Sequence, residues 1–303
     1  MTKNFSIGAI LVTFVGITCN TAKQSKGSQE LYQSSALTAV NSFTSGAEGP
    51  AVDRGGNLYA VNFSKEGTVG KITPAGVSSI FLELPNGSVG NGIRFNSKGE
   101  MLIADYTKHN ILKVDMASKQ FSVYAHDSTM NQPNDIAIDS KDRLYASDPN
   151  WKAGTGRIWR VDADGKMNVL EDNMGTTNGI EVSPNEKILY VNESVQRKVW
   201  AYDLSNSGTI SKKRVLIEFP DFGMDGMRCD VDGNLYIARY GKGVVAKVSP
   251  NGQLLKEIKL LGKNVSNIAF GGPDGRTAYV TLQDQGNIES FRVETPGREW
   301  KNK

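Results

Sequence analysis

The sequence predicts an all-β fold, a six-bladed β-propeller of four-stranded antiparallel blades around a central channel, and three observations lead to it. A short apolar motif recurs six times at intervals of 43 to 46 residues. Each copy contains four short strand patterns separated by turns rich in Gly, Asn and Asp. No amphipathic helix pattern of useful length occurs within the repeats. Four strands in a repeat of this length are typical of a propeller blade, and the missing helix patterns exclude a helical solenoid.

The recurring motif favours Leu, Tyr, Ile and Val, and it is predicted to form the second strand of each blade. Its first residues are Leu58, Met101, Leu144, Leu189, Leu235 and Ala278. A short apolar strand and a turn, such as residues 53–57, precede each motif, and a third strand, a turn and a fourth strand follow it. Six copies fill residues 41–303, which we therefore predict to be one propeller domain.

The segment before the repeats is predicted to be an export signal and a tether. Lys3 precedes an apolar run at residues 7–17, too short for a bilayer span of roughly 20 residues. Cys19 follows this run, an arrangement that resembles the lipobox of bacterial lipoproteins. We therefore expect a signal peptide at residues 1–18, membrane attachment through a lipid on Cys19, and a polar flexible tether at residues 19–40. A plain cleaved signal and an uncleaved anchor remain alternatives, and all three export the protein to the bacterial cell envelope, in the periplasm or on the outer membrane.

Composition excludes several other classes of site. The chain has 35 Lys and Arg against 32 Asp and Glu, a net charge of +3, and its longest basic cluster has three members, so we predict no nucleic-acid partner. Two histidines exclude a three-His zinc site, and a metal ion would therefore be bound mainly by oxygen. No Gly-x-Ser-x-Gly motif indicates a serine nucleophile.

One polar position recurs at the start of every blade. The first strand of a propeller blade lines the central channel, so the residues just before the six first strands should meet near one rim. These residues, which we call the strand-start ring, are Glu48, Asn91, Asn134, Asn178, Asp225 and Ser266. Two carboxylates with amide oxygens between them suit a hard divalent cation such as Ca²⁺. The alternative is that these side chains only satisfy backbone groups of the turns.

The same residues carry a resemblance to a known family. The segments 48–50, 132–135, 177–180, 225–227 and 267–272 resemble the senescence-marker-protein/gluconolactonase/luciferin-regenerating-enzyme family, in matching order and spacing from about Gly46 to Thr281. The resemblance implies a six-bladed propeller with a divalent metal in its channel. It also implies an enzyme that hydrolyses lactones, commonly sugar lactones.

The resemblance assigns roles to individual residues. Glu48, Asn178 and Asp225 match the family's metal ligands, Asn134 matches a residue at the metal or the substrate, and Asp225 also matches the proposed general base. Ca²⁺ suits this set best, and Zn²⁺, Mg²⁺ and Mn²⁺ remain open. The metal would act as a Lewis acid on the lactone carbonyl while the carboxylate takes a proton from the attacking water.

Three further residues are expected near the substrate. Asn91 belongs to the strand-start ring, and Gln132 stands where sugar-lactone members often have Arg, which puts a gluconolactone-like substrate in doubt. Asp148 has two possible roles: it supports the metal or the substrate without contacting the metal directly, or it caps a turn. A different class of function, a non-catalytic propeller that binds a partner and holds a structural calcium ion, is the alternative to the metal-dependent lactonase.

Overall fold

The computed structural model describes residues 1–2, 30–85 and 87–302 of the chain, with the side chains of residues 301 and 302 left out. Residues 3–18 of the predicted signal peptide, Cys19 and the first part of the predicted tether lie outside the described residues. Within the described residues, no helix is long and apolar enough to cross a membrane.

The described chain is built from short strands and one 3-10 helix. The strands of the first half are β1 (Ser35–Ala36), β2 (Phe43–Val52), β3 (Leu58–Phe63), β4 (Thr68–Ile72), β5 (Ser78–Glu83), β6 (Gly90–Phe95), β7 (Met101–Asp105), β8 (Asn110–Val114), β9 (Phe121–His126), β10 (Ile136–Ile138), β11 (Leu144–Asn150), β12 (Thr155–Val161) and β13 (Met167–Met174). Those of the second half are β14 (Thr177–Val182), β15 (Ile188–Glu193), β16 (Lys198–Leu204), β17 (Ile210–Glu218), β18 (Met227–Cys229), β19 (Leu235–Arg239), β20 (Val244–Val248), β21 (Leu254–Lys259), β22 (Val265–Gly271), β23 (Thr277–Leu282) and β24 (Asn287–Arg292). The 3-10 helix is Arg298–Asn302.

These strands form six four-stranded antiparallel sheets, which confirms the predicted six-bladed propeller. Blades 1 to 5 each use four consecutive strands, β2–β5, β6–β9, β10–β13, β14–β17 and β18–β21. The recurring motif lies on the second strand of every blade, as predicted, and its first residue is the first or second residue of that strand. One copy of the repeat in the sequence therefore corresponds to one blade of the propeller.

The hydrophobic core lies between neighbouring blades. One cluster joins Tyr59 and Val61 of blade 1 to Ile93 and Ile103 of blade 2. The second strands are buried on both faces because a blade packs on each side of them, and β7 and β19 are buried at every position. The outer strands, such as β21, are mostly exposed. This gradient explains why the second strand gives the clearest repeat in the sequence.

The last blade is closed by the beginning of the described chain, which corrects the predicted domain boundary. Blade 6 has the order β1-β24-β23-β22, with Ser35 opposite Ser290 and Ala36 opposite Glu289. Residues 31–40 are therefore not tether, because they supply the outer strand and the turn into blade 1. The two residues of β1 are exposed, which fits an outer strand that buries little apolar surface and satisfies the open edge of β24.

Closure of the ring by β1 predicts a difference in thermal stability between chains that begin before and after this strand. A chain that begins at Asn41 lacks β1 and exposes the edge of β24, so we expect its melting temperature to be on the order of 10 °C below that of a chain that begins at Glu30. Differential scanning calorimetry of the two chains measures this shift. Equal melting temperatures would show that β1 contributes nothing to closure.

Candidate active site

Five of the six strand-start residues line one cavity at the mouth of the central channel. This cavity has a volume of about 400 Å³, and Glu48, Asn91, Asn134, Asn178 and Asp225 are in its wall. The five come from the innermost strands of five different blades: Glu48 lies within β2, Asn91 and Asn178 are the second residues of β6 and β14, and Asn134 and Asp225 stand two residues before β10 and β18. The repeat therefore brings together residues that are far apart in the chain.

The sixth position, Ser266, is not part of this cavity. Its hydroxyl donates to the carbonyl of Ala47 at 2.7 Å and lies 2.8 Å from Oγ1 of Thr281. The side chain thus links blade 6 to blade 1 through backbone. The prediction that all six positions face one spot holds for five blades only.

Two of the carboxylates that line the cavity are buried, and each raises the pKa of the other or lies beside a further acid. Glu48 is 4% exposed and Asp225 is 9% exposed. Burial, which disfavours the charged form, raises the pKa of Glu48 to about 7, and the charge of Asp135 acts in the same direction. Burial also raises the pKa of Asp225 well above its ordinary value, and the negative charge of Glu48 adds to this. Both groups would be stabilised as anions by a cation between them.

Each carboxylate is held by neighbouring groups. Glu48 Oε2 accepts from the backbone N–H of Gly49 at 2.9 Å and from Nδ2 of Asn267 at 3.0 Å. The Asn178 side chain and the Gly226 backbone act to lower the pKa of Asp225, and the backbone N–H groups of Asp225 and Gly226 donate to the carbonyls of Ala238 and Ser266 at 2.9 and 2.7 Å. The geometry of the acids is therefore fixed by groups from blades 6, 1, 4 and 5.

The remaining donor atoms fit a divalent cation. The Oδ1 atoms of Asn91 and Asn178 are buried without a hydrogen-bond partner, although a buried amide oxygen normally has one. Among the described residues, no group of three or more His, Cys, Asp and Glu side chains forms a metal cluster. The site is instead a mixed set of two carboxylates and unpartnered amide oxygens, which is a donor set that Ca²⁺ accepts.

Close packing on the axis restricts the residue after the strand start in blades 4 and 5. A Cβ atom on Gly226 would lie 2.0 Å from Cγ of Asn267, and one on Gly179 would lie 2.4 Å from the carbonyl oxygen of Asp225. The Nδ2 atom of Asn192 also donates to that carbonyl at 2.6 Å. Glycine at these positions lets adjacent blades approach closely enough to bring their polar groups into one site.

Gln132 and Asp148 lie outside the cavity wall. Oδ1 of Asp148 accepts hydrogen bonds from the backbone N–H groups of Asn131 and Gln132, both at 2.7 Å. Its Oδ2 accepts from Nε1 of Trp159 at 3.0 Å. Asp148 therefore caps the turn that leads to Asn134, which is the second of its two predicted roles. Gln132 hydrogen-bonds to the side chain of Tyr106, which does line the cavity.

Deeper in the channel, a network of buried charges separates this cavity from the opposite mouth. Nη1 of Arg228 is 3.1 Å from Asp135 Oδ2, Nη2 of Arg94 is 3.6 Å from Glu181 Oε2, and Nη1 of Arg298 is 3.2 Å from Glu181 Oε1. Arg94 and Arg228 come from the first strands, whereas Arg298 enters from the C-terminal helix.

This network has no excess positive charge in the described part of the chain. Its three arginines face four carboxylates, those of Asp135, Glu181, Glu299 and Glu186. The two buried carboxylates of the upper cavity therefore have no ion-pair partner among these arginines, and a divalent cation would neutralise them. A second cavity, of about 730 Å³, lies on the far side, where Arg94, Arg228 and the C-terminal helix contribute to its wall.

Several residues of the site were not predicted from the sequence. Asn267 and Asn192 hold the two acids, and each occupies a position inside a recognised repeat. Tyr106, Trp151 and Tyr240 line the outer part of the cavity, and each directly follows the second strand of its blade. Extending the repeat by one residue past that strand would have found these three.

Comparison with known proteins places this geometry in a family. Residues 46–284 match the SMP-30/gluconolactonase/LRE-like region. The chain belongs to this family of propeller proteins.

Individual relatives agree with this assignment. A gluconolactonase of Zymomonas mobilis is 27% identical over 287 residues, which cover 83% of this chain and 79% of that protein. A pentonolactonase of Haloferax volcanii is 31% identical over 152 residues, 49% of this chain and 52% of that protein. The structure of regucalcin from Agrobacterium tumefaciens, a calcium-binding protein, matches with a TM-score of 0.76 and 24% identity over 86% of this chain and 94% of that one.

The raised pKa values predict how the stability of the metal-free protein depends on pH. The folded chain holds the Glu48 proton more tightly than the unfolded chain, because the pKa is about 7 when folded against 4.5 ordinarily. The unfolding free energy should therefore fall as the pH rises from 5 to 8, by on the order of 3 kcal/mol. Urea unfolding in the presence of a chelator measures this, and Glu48→Gln should flatten the profile. An unchanged profile in that variant would remove Glu48 as its cause.

Capping of the turn by Asp148 predicts a stability effect. In Asp148→Ala, two backbone N–H groups and the indole of Trp159 lose their acceptor, so we expect a loss of about 2–4 kcal/mol in urea unfolding. Asp164→Ala, in an exposed turn, is the matched control and should lose less than about 1 kcal/mol. A fully stable Asp148→Ala protein with weakened ligand binding would instead assign Asp148 to the substrate.

Proposed function

We propose that this protein is a divalent-metal-dependent lactonase, a carboxylic ester hydrolase that opens lactones with water. The observation that carries the proposal is the meeting of two buried carboxylates and two unpartnered amide oxygens in one cavity of about 400 Å³. Relatives of this family named gluconolactonase and pentonolactonase support the reaction class.

The metal would be held by Glu48, Asn178 and Asp225, with Asn134 as a further ligand or as a contact to substrate. Ca²⁺ is the ion that we propose first, because all of these donors are oxygen atoms and two of them are carboxylates. The bound ion would supply Lewis-acid polarisation of the lactone carbonyl. The chain's own part is to place these oxygens, which contacts from adjacent blades already fix.

Asp225 is the proposed general base. Its carboxylate lines the cavity, so it can accept a proton from a water molecule bound there. Asp225 would take one proton from a water molecule as the water oxygen bonds to the carbonyl carbon. That proton then passes to the ring oxygen as the ester bond breaks, and the product is the open hydroxy acid. Asn91 lies beside this path with a free amide oxygen and is proposed to contact substrate.

A propeller that only binds a structural calcium ion is the competing proposal. The same two acids and amide oxygens would hold such an ion without any turnover. The regucalcin relative, a calcium-binding protein, is compatible with either case. Turnover separates the two proposals, because only the first needs Asp225 to move a proton.

We also propose that the protein is exported and anchored through Cys19 to a membrane of the bacterial envelope. Cys19→Ser should then release the protein into the soluble envelope fraction, with the propeller intact. Fractionation followed by immunoblotting measures the distribution.

Asp225→Asn tests the proposed chemistry. It keeps the volume of the side chain but removes both the base and a metal ligand, so we expect kcat/KM for lactones to fall about a thousandfold or more. Hydrolysis of sugar, aliphatic and aromatic lactones is followed by pH indicator, on chelator-treated protein refilled with Ca²⁺, Mg²⁺, Mn²⁺ or Zn²⁺. Asp232→Asn, an exposed residue in the same blade, is the control and should keep full activity.

Two outcomes would count against this account. Activity close to wild type in Asp225→Asn would exclude Asp225 as the base. Metal binding that raises the melting temperature while every lactone stays intact would favour the structural-calcium proposal.

A further inference from the structure

A second ring of side chains surrounds the outer part of the same cavity. In each blade the second strand runs antiparallel to the first, so it ends where the first begins, as the pairing of Gly90 with Asp105 and of Thr177 with Glu193 shows. In five blades the residue directly after the second strand lines the cavity. These residues, which we call the strand-end ring, are Tyr106, Trp151, Ser194, Tyr240 and Gln283.

Three members of the strand-end ring are aromatic and partly exposed. Trp151 is 39% exposed and therefore does not fill the core between blades. Tyr106 and Tyr240 are half-buried on other blades. Flat aromatic faces at a cavity mouth pack against apolar or ring-shaped ligands, and the tyrosine hydroxyls add hydrogen-bond donors.

Charge in the cavity has one sign only. Among the described residues that line it, none is Lys, Arg or His, whereas Glu48, Asp225 and Glu66 are acidic. A divalent cation would offset the two axial acids, and the exposed carboxylate of Glu66 would still leave the mouth negative. Cationic side chains such as Arg54 and Lys71 line the cavity at the other mouth of the channel. An anionic substituent on a substrate therefore finds no partner in the candidate site.

We propose that the strand-end ring selects uncharged lactones that carry an apolar or aromatic face, and rejects lactones that carry phosphate, sulfate or a second carboxylate. Trp151 supplies the stacking surface, and Glu66 supplies the repulsion. This inference rests on the proposed lactonase function for its kinetic test, and a binding test stands apart from that function.

The kinetic test compares variants on matched lactones, so that intrinsic reactivity cancels. Trp151→Ala should lower the ratio of kcat/KM for γ-phenyl-γ-butyrolactone to kcat/KM for γ-butyrolactone roughly tenfold. Glu66→Lys should raise kcat/KM for 6-phosphogluconolactone relative to gluconolactone by roughly threefold to tenfold, and Glu66→Gln by less. Asp164→Lys, which makes the same charge change in an exposed turn, should leave that ratio unchanged.

The binding test uses the lactam of the phenyl compound, which is not hydrolysed, and 6-phosphogluconate, titrated by calorimetry into wild type and Trp151→Ala. The lactam should bind wild type, lose affinity in the variant, and bind more tightly than 6-phosphogluconate. If lactones are not turned over but this pattern appears, the selectivity stands and the lactonase proposal fails. Preference for the phosphorylated ligand, or equal binding of the lactam by both proteins, overturns the selectivity.

Discussion

Burial of two carboxylates on the propeller axis is the constraint on which the site depends. Glu48 lies within β2 of blade 1 and Asp225 lies just before β18 of blade 5, and the other residues of the strand-start ring carry an amide or a hydroxyl. Taking two like charges out of water is unfavourable unless an opposite charge accompanies them. The channel below contains three arginines in its described part, but these face four carboxylates of their own. The two axial carboxylates are therefore available to bind a ligand of charge +2.

Ring closure makes that arrangement possible. Both acids are fixed through a neighbouring blade, because Asn267 of blade 6 fixes Glu48 of blade 1 and Asn192 of blade 4 fixes the backbone of Asp225 in blade 5. Such contacts hold their geometry only when all six blades close. β1 supplies the last strand of blade 6, so a short exposed segment outside the apolar repeat helps position the chemistry.

The sequence predicts those features that repeat. The six blades, the second strands and five cavity residues follow from one period, because equal repeats place equal positions at equal places around the axis. β1 was missed because two exposed residues of an outer strand leave no apolar pattern. The helical turn at Arg298 lies beyond the last repeat, and its insertion beside Glu181 depends on the path of the C-terminal segment. Asp148 was predicted with two roles, since capping and ligand support use the same carboxylate, and only its hydrogen bonds distinguish them.

The most direct measurement is calorimetric titration of Ca²⁺ into the metal-free protein at pH 6.5, in two buffers with different ionisation enthalpies. The account predicts one ion bound per chain with release of protons, because burial raises the pKa of Glu48 to about 7 and keeps part of that group protonated before the ion binds. Binding should be lost in Glu48→Gln and Asp225→Asn. Equal affinity in these variants, or binding with no proton release, would contradict the claim that the axial carboxylates form a cation site.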